Sequence, residues 1–140
     1  MTSLVNCINY LLTNAQHNVF QVMKKGLEPF DLTPIQYGVL KCIWDFQLNN
    51  PKDIADKLNI EGSTLSGILE RMEAKELITR KIDSDDRRFI CINLTEKGKS
   101  LENNVNDIVE EVNRNVLSDF SDKEVLQLRQ FLKNLAEVSC

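Results

Sequence analysis

The 140-residue sequence predicts a mainly α-helical chain carrying one small β-hairpin. Three observations lead there. Apolar residues recur at spacings of three and four over most of the length, the period of an amphipathic helix. Between residues 77 and 94 that period gives way to alternation, the period of a half-buried strand. The two alternating runs, LITRKI and FICINL, are joined by DSDDRR, a polar stretch too long for a two-residue turn.

Leu4, Ile8, Leu11, Ala15, Val19 and Val22 form one helical stripe, widened by Leu12 and Met23, so the first helix is long and ends near Lys24–Gly26. In LTPIQY, Thr33 is a good N-cap and Pro34 takes the first helical position, where its missing N–H costs nothing. Gln36 completes a capping box, and Leu32 and Tyr37 fit the accompanying hydrophobic staple. Val39, Leu40, Ile43 and Trp44 carry this helix into the core. Asn50–Pro51 opens a third helix with Ile54, Ala55 and Leu58 on one face, and NIEG (59–62) stops it. Ser63 is expected to start the fourth, STLSGILERMEAKE, with Leu65, Ile68, Leu69 and Met72 in one narrow apolar arc. Ser63, Gly67, Glu70 and Ala74 lie opposite, flanked by Thr64, Ser66 and Arg71. Two short helices joined by about four residues match a helix-turn-helix. Strands are expected at 77–82 and 89–94, with Ile90, Ile92 and Leu94 on one face. Thr95 then caps one long helix through Leu101, Val105, Ile108, Val112 and Val116. Ser121 and Glu124 make a second capping box, and Val125, Leu128, Phe131, Leu132 and Leu135 line the last helix.

The net charge of −4 resides in residues 100–140, which hold four Lys/Arg against eight Asp/Glu; residues 1–99 carry 13 of each sign. That balance argues against a general basic coat for nucleic acid but leaves room for a small local footprint. No apolar run reaches membrane-spanning length. MTSLVNCINYLL lacks the basic region and small-residue cleavage site of a signal peptide, so a cytoplasmic location is expected. Cys7, Cys42, Cys91 and Cys140 are far apart and His17 is the sole histidine, so neither a metal site nor a disulfide framework is expected. The sequence offers no nucleophile–base constellation and no phosphate loop, so neither an enzyme nor a cofactor is expected.

From Leu32 to Leu101 the chain resembles the MarR (multiple-antibiotic-resistance regulator) family of winged helix-turn-helix transcription regulators. The resemblance is carried by LTPIQ, by the joint LERMEAKELITR, by Asp86 and Arg88 of a D-x-R motif, and by the Thr95–Gly98 segment that follows the second strand. One residue departs from the pattern: Glu76 stands where a glycine is expected to close the recognition helix in a left-handed conformation. The resemblance implies one domain over 1–140, with a DNA-binding winged helix-turn-helix at 32–99 and dimerisation helices at 1–30 and 100–140. It also implies a sequence-specific regulator, a repressor that binds a pseudo-palindromic operator as a homodimer and is released by a small aromatic molecule.

A helix that fills a major groove needs small and polar residues near the start of its outward face. Ser63, Thr64 and Ser66 supply hydroxyls there, and Gly67 permits close approach. Arg71 is the candidate for paired bonds to guanine. A narrow minor groove concentrates negative potential and draws in arginine, and a carboxylate can hold a guanidinium extended through paired hydrogen bonds. The resemblance gives those two roles to Arg88 and Asp86. Arg87 would meet phosphate, and Asp83 and Asp85 would cap the turn.

Tyr10, His17, Phe30, Tyr37 and Trp44 are the candidates to line an effector cavity. Two alternatives stand beside this reading. One is a redox-responsive regulator, for which Cys7 is the nearest match to the thiol of a hydroperoxide-sensing branch; it lies two positions early, with Asn9 at the expected place. The other is a winged helix used as a protein-interaction module, against which the Asp86–Arg88 pair and the small outward face of 63–67 both speak.

Overall fold

In the computed structural model, which describes residues 1–86 and 88–140, the elements follow the expected order. A single turn at Leu4–Asn6 precedes α1 (Ile8–Leu27), so the first helix starts later than its apolar stripe. After a turn at Glu28–Phe30 come α2 (Pro34–Phe46), α3 (Pro51–Leu58) and α4 (Gly62–Ala74). Thr33 and Gln36 form both halves of the expected capping box on α2, and the Asn50 side chain caps α3 through the Asp53 N–H. α4 begins one residue ahead of expectation. Its N-cap is Glu61, whose side chain makes no capping bond, and Ser63 lies inside the first turn.

These short helices end in a shared way. Asp31, Gln47, Asn59 and Glu76 all have φ between 52° and 61°, the left-handed region. Each is followed by an apolar residue (Leu32, Leu48, Ile60 and Leu77) that belongs to the core or packs against it. A left-handed residue reverses the chain, and the apolar one after it seals the helix end.

β1 (Ile78–Ile82) and β2 (Ile90–Leu94) pair antiparallel, with Ile78 opposite Leu94, Arg80 opposite Ile92 and Ile82 opposite Ile90. Each strand is one residue shorter than expected. Leu77 is spent closing α4, and Phe89 joins the tip, where its N–H donates to the Asp86 carbonyl.

The single helix expected after Thr95 is two segments, α5 (Glu96–Ser100) and α6 (Glu102–Val116), divided at Leu101. Thr95 caps the first through the Gly98 N–H. Two carbonyls of that short helix accept from side chains outside the helical ladder: Gly98 from Trp44 Nε1 (3.3 Å) and Lys97 from Ser100 Oγ (2.8 Å). Gly98 also lies so close to the chain entering β1 that an added Cβ would run into the Leu77 carbonyl. α5 is thus fixed by its neighbours in one direction, and α6 leaves in another. α7 (Asp122–Ala136) follows, with Ser121 and Glu124 forming its capping box.

The core gathers Leu27, Leu32, Val39, Leu40, Ile54, Leu65, Leu69, Met72, Leu77, Ile78, Ile92 and Val105 around the three short helices and the hairpin root. α1 and α6 pack closely: a Cβ at Gly26 would approach Val112 Cγ2 to 2.9 Å. α7 buries none of its residues.

Candidate nucleic-acid interface

The apolar arc of α4 is fully committed inward, with Leu65, Ile68, Leu69 and Met72 all buried. The opposite face is free. Ser63, Thr64, Ser66 and Arg71 are exposed and Gly67 is half-buried. Because Glu61 holds the cap position, Ser63 is not needed to start the helix. Arg71 folds back along the helix, as long helical side chains do. Its guanidinium lies over Gly67, where a Cβ would meet Nη1 at 3.7 Å. The structure therefore brings Gly67 and Arg71 together on one small, polar, outward face.

At the hairpin tip the Asp83 carboxylate accepts from the Asp85 N–H at 2.8 Å, and the Asp83 N–H donates to the Phe89 carbonyl. Asp83 thus builds the turn. Asp86 braces Arg88 at three donors: the backbone N–H and Nε each donate to Oδ1 at 3.0 Å, and Nη2 donates to Oδ2 at 2.8 Å. The Arg88 side chain is nevertheless 84% exposed, so the clamp fixes its direction without hiding its charge. The ring of Phe89 lies 5.9 Å below the guanidinium carbon. Hydrogen bonds from Arg88 hold the Asp86 carboxyl below the usual carboxylate range, and the same bonds push the Arg88 pKa up. The brace is therefore complete throughout the neutral range and is lost only as pH falls through the lowered Asp86 pKa. Arg87 lies outside the described residues.

Behind these two elements sits a set of ties around the end of α4. The end of α4 is a Schellman turn: the Leu77 N–H donates to the Met72 carbonyl and the Glu76 N–H to the Glu73 carbonyl. Glu76 occupies the left-handed position at φ 61°, where the resembled pattern has glycine. Thr95 Oγ1 donates to the Glu76 carbonyl at 2.6 Å and Lys97 Nζ to the Lys75 carbonyl at 2.9 Å, so α5 holds the last turn of α4. Lys75 Nζ reaches the other way, donating to the Asp31 carbonyl and to Oε1 of the buried Gln36. Glu73 bonds Arg80 at the hairpin root. The left-handed close at Glu76 was expected from the resembled pattern; for the side-chain ties the sequence signalled only the capping-box role of Gln36, whose oxygen serves Lys75 as well.

The aromatic candidates are dispersed. Trp44 is buried in the core, and Phe30 and Tyr37 pack against it half-buried. Burial pushes the Tyr37 hydroxyl pKa up, with Asp45 adding to the shift. Tyr10 and His17 lie on α1, His17 fully at the surface. An open groove of about 550 Å³ lies instead between α6 and α7 and is lined by Arg114, Leu117, Phe120, Val125 and Arg129 among others. All four cysteines are free. Cys42 is buried, and burial pushes its thiol up. Cys91 is half-buried, while Cys7 and Cys140 are exposed.

A helix with a small polar outward face, rigidly backed by a second short helix and flanked by a hairpin carrying a braced arginine, defines a winged helix-turn-helix DNA-binding protein. Known proteins agree. Residues 32–90 match the MarR family model. The organic hydroperoxide resistance transcriptional regulator of Bacillus subtilis is 31% identical over 134 residues, covering 96% of this chain and 90% of its own length. The chain belongs to the MarR family of transcription regulators and is a DNA-binding protein, not an enzyme. Two solved structures are similar throughout. Staphylococcus aureus MepR, solved as a DNA complex, is 30% identical with a TM-score of 0.84, covering 93% of this chain and 96% of that one. CouR of Rhodococcus jostii, solved with p-coumaroyl-CoA bound, is 25% identical with a TM-score of 0.84, covering 100% of this chain and 99% of that one. Among the described residues no helix is long and apolar enough to cross a membrane.

Proposed function

We propose that the chain works in the cytoplasm as a homodimeric repressor on a pseudo-palindromic operator and is released by a small aromatic effector. The observation that carries this reading is the exposed Arg88 guanidinium held on two carboxylate oxygens of Asp86. Arg88 enters the minor groove, where its extended charge meets concentrated negative potential. Arg87 meets phosphate. Ser63, Thr64, Ser66, Gly67 and Arg71 face the adjacent major groove, with Arg71 reading guanine. Residues 32–99 thus read DNA, while 1–30 and 100–140 pair the copies. A twofold dimer sets its α4 helices about one DNA turn apart, roughly 34–36 Å. The exposed apolar residues of α1 and α7 support that pairing, among them Ile8, Leu11, Val19, Phe131, Leu132 and Leu135.

The acyl-CoA bound to CouR supports an effector with an aromatic acid portion. Tyr10, His17, Phe30, Tyr37 and Trp44 are the residues we assign to that effector's neighbourhood. The name of the Bacillus relative favours a second reading of the signal, in which a hydroperoxide oxidises an exposed thiol. Cys7, exposed at the start of α1, is the residue for it.

The test begins by selecting bound duplexes from random DNA and measuring affinity for the winner against salt. Affinity should fall linearly on a double-logarithmic plot as counterions are released. Arg88→Ala should weaken binding by about 1–3 kcal/mol per half-site while the protein stays folded. An absence of sequence preference at low ionic strength, or unchanged binding by Arg88→Ala, would overturn the reading. Aromatic acids, their CoA thioesters and organic hydroperoxides are then compared as releasing agents.

A further inference from the structure

A two-stranded ribbon has little rigidity of its own. The outer half of this one stands clear of the core, since Ile82 and Ile90, the last pair before the tip, are both exposed. Its direction must therefore be set nearer the root. Two rungs inward, past Lys81 and Cys91, Arg80 stands opposite Ile92, and both of that pair's backbone N–H groups point out of the ribbon, one to each edge. On one edge the Ile92 N–H donates to the Asn49 carbonyl at 2.7 Å. On the other the Arg80 N–H donates to Glu73 Oε2 at 3.0 Å, and Arg80 Nη2 donates to Glu73 Oε1 at 3.1 Å. One rung is thus pinned from both sides, by the loop between α2 and α3 and by a carboxylate on α4. The Asn49 tie is backbone to backbone and depends on no side chain. The Glu73 tie is a side chain that joins the major-groove helix to the hairpin directly.

We propose that Glu73 is a positioning residue for the wing, fixing where Arg88 meets DNA relative to the outward face of α4. This rests on the reading of Arg88 given above. Arg88 lies four residues beyond the Ile92 rung, about 13 Å along the ribbon at ~3.3 Å per residue. A tilt of roughly 10° at the rung therefore moves the guanidinium by about 2 Å, a large displacement for a group entering a minor groove about 6 Å wide. Hydrogen bonds from Arg80 hold the Glu73 carboxyl below its ordinary range, so the tie is fully charged at neutral pH.

A double-mutant cycle separates positioning from simple stabilisation. Affinity for a duplex selected by the unmodified protein is measured for E73A, R88A and the double variant, with unfolding midpoints alongside. E73A should weaken binding about tenfold when Arg88 is present and less than about twofold when it is absent, because a misaimed wing matters only if it carries its arginine. Equal losses in the two backgrounds overturn the proposal and make the tie purely structural. If R88A alone binds as well as the unmodified protein, the wing has no part in recognition and the role of Glu73 falls with it. Should E73A unfold, E73Q carries the same cycle, since it keeps the side-chain shape and one acceptor oxygen; its loss should again vanish in the R88A background.

Discussion

Between Leu32 and Leu94 the chain buries its large apolar side chains, whereas along α1 and α7 it displays them. Leu40, Ile54, Leu65, Leu69, Leu77 and Ile92 are all at most 1% exposed. The exceptions in that region, Phe46, Ile82, Phe89 and Ile90, lie at a helix end and on the outer hairpin. On α1, by contrast, Ile8, Leu11, Leu12, Val19, Phe20 and Val22 are exposed, and on α7 so are Leu126, Phe131, Leu132 and Leu135. A few surface leucines need no explanation, but whole helical stripes left in water mark an interaction surface. One region is finished within the chain; the other has the character of half a structure.

Protein concentration is the variable that separates these cases. Leu69→Ala removes a side chain from a closed core and should cost about 2–5 kcal/mol at every concentration. Phe131 is 61% exposed in the single chain. If α7 stayed in water, Phe131→Ala would change stability by no more than about 0.5 kcal/mol. At a dimer interface it should cost about 2 kcal/mol or more, and the unfolding midpoint should rise with protein concentration. Urea unfolding at two concentrations, with sedimentation to read the oligomer, measures both. A Phe131→Ala variant that costs nothing and leaves the midpoint independent of concentration would break the comparison.

Arg71→Ala sharpens it from the other side, with a smaller effect. This residue lies in the finished region on the free face of α4, so its loss should leave sedimentation and unfolding unchanged. Operator discrimination should fall by about 1–3 kcal/mol at one base pair per half-site. Phe131→Ala should instead lower affinity for all duplexes alike by splitting the dimer. The two variants are compared on the selected duplex and on single-base substitutions of it. Equal loss on every sequence would make Arg71 a phosphate contact.

The fold was legible wherever a local rule wrote it. Thr33 with Gln36 and Ser121 with Glu124 announced their capping boxes, because the bonds span three residues and depend on nothing else. The register of the two strands is set by the tip that joins them, but their alternation and the inward arc of α4 followed from period alone. The break at Leu101 did not, because it depends on Trp44, 54 residues away, claiming the Gly98 carbonyl. Of the candidate site, the D-x-R brace was expected from the family resemblance, which a motif of three adjacent residues can carry. The Glu73–Arg80 tie was not. It spans a helix end, a turn and a strand start, and no periodicity marks the pairing.

Glu76 was the one residue whose sequence contradicted its expected backbone, and it offers the finest test of how well the finished region is built. It holds a left-handed φ of 61° with no glycine to relieve it. That conformation costs an L-residue about 1–2 kcal/mol. The surrounding turn enforces it: Leu77 must reach the core, and the Glu76 carbonyl must face Thr95 Oγ1. Glu76→Gly keeps every one of those bonds, since Glu76 contributes only its backbone to them, and removes an exposed side chain. Glycine gives back about 0.4–1 kcal/mol through its freer unfolded chain, so the net gain should be up to about 1.6 kcal/mol, a rise in Tm of no more than roughly 6 °C. Glu76→Ala is the control, because it removes the same carboxylate but retains the Cβ that causes the strain. Thermal unfolding should rank glycine above glutamate, with alanine no better than glutamate. If alanine stabilises as much as glycine, the carboxylate and not the backbone is what the joint tolerates poorly, and the left-handed turn is not a source of strain.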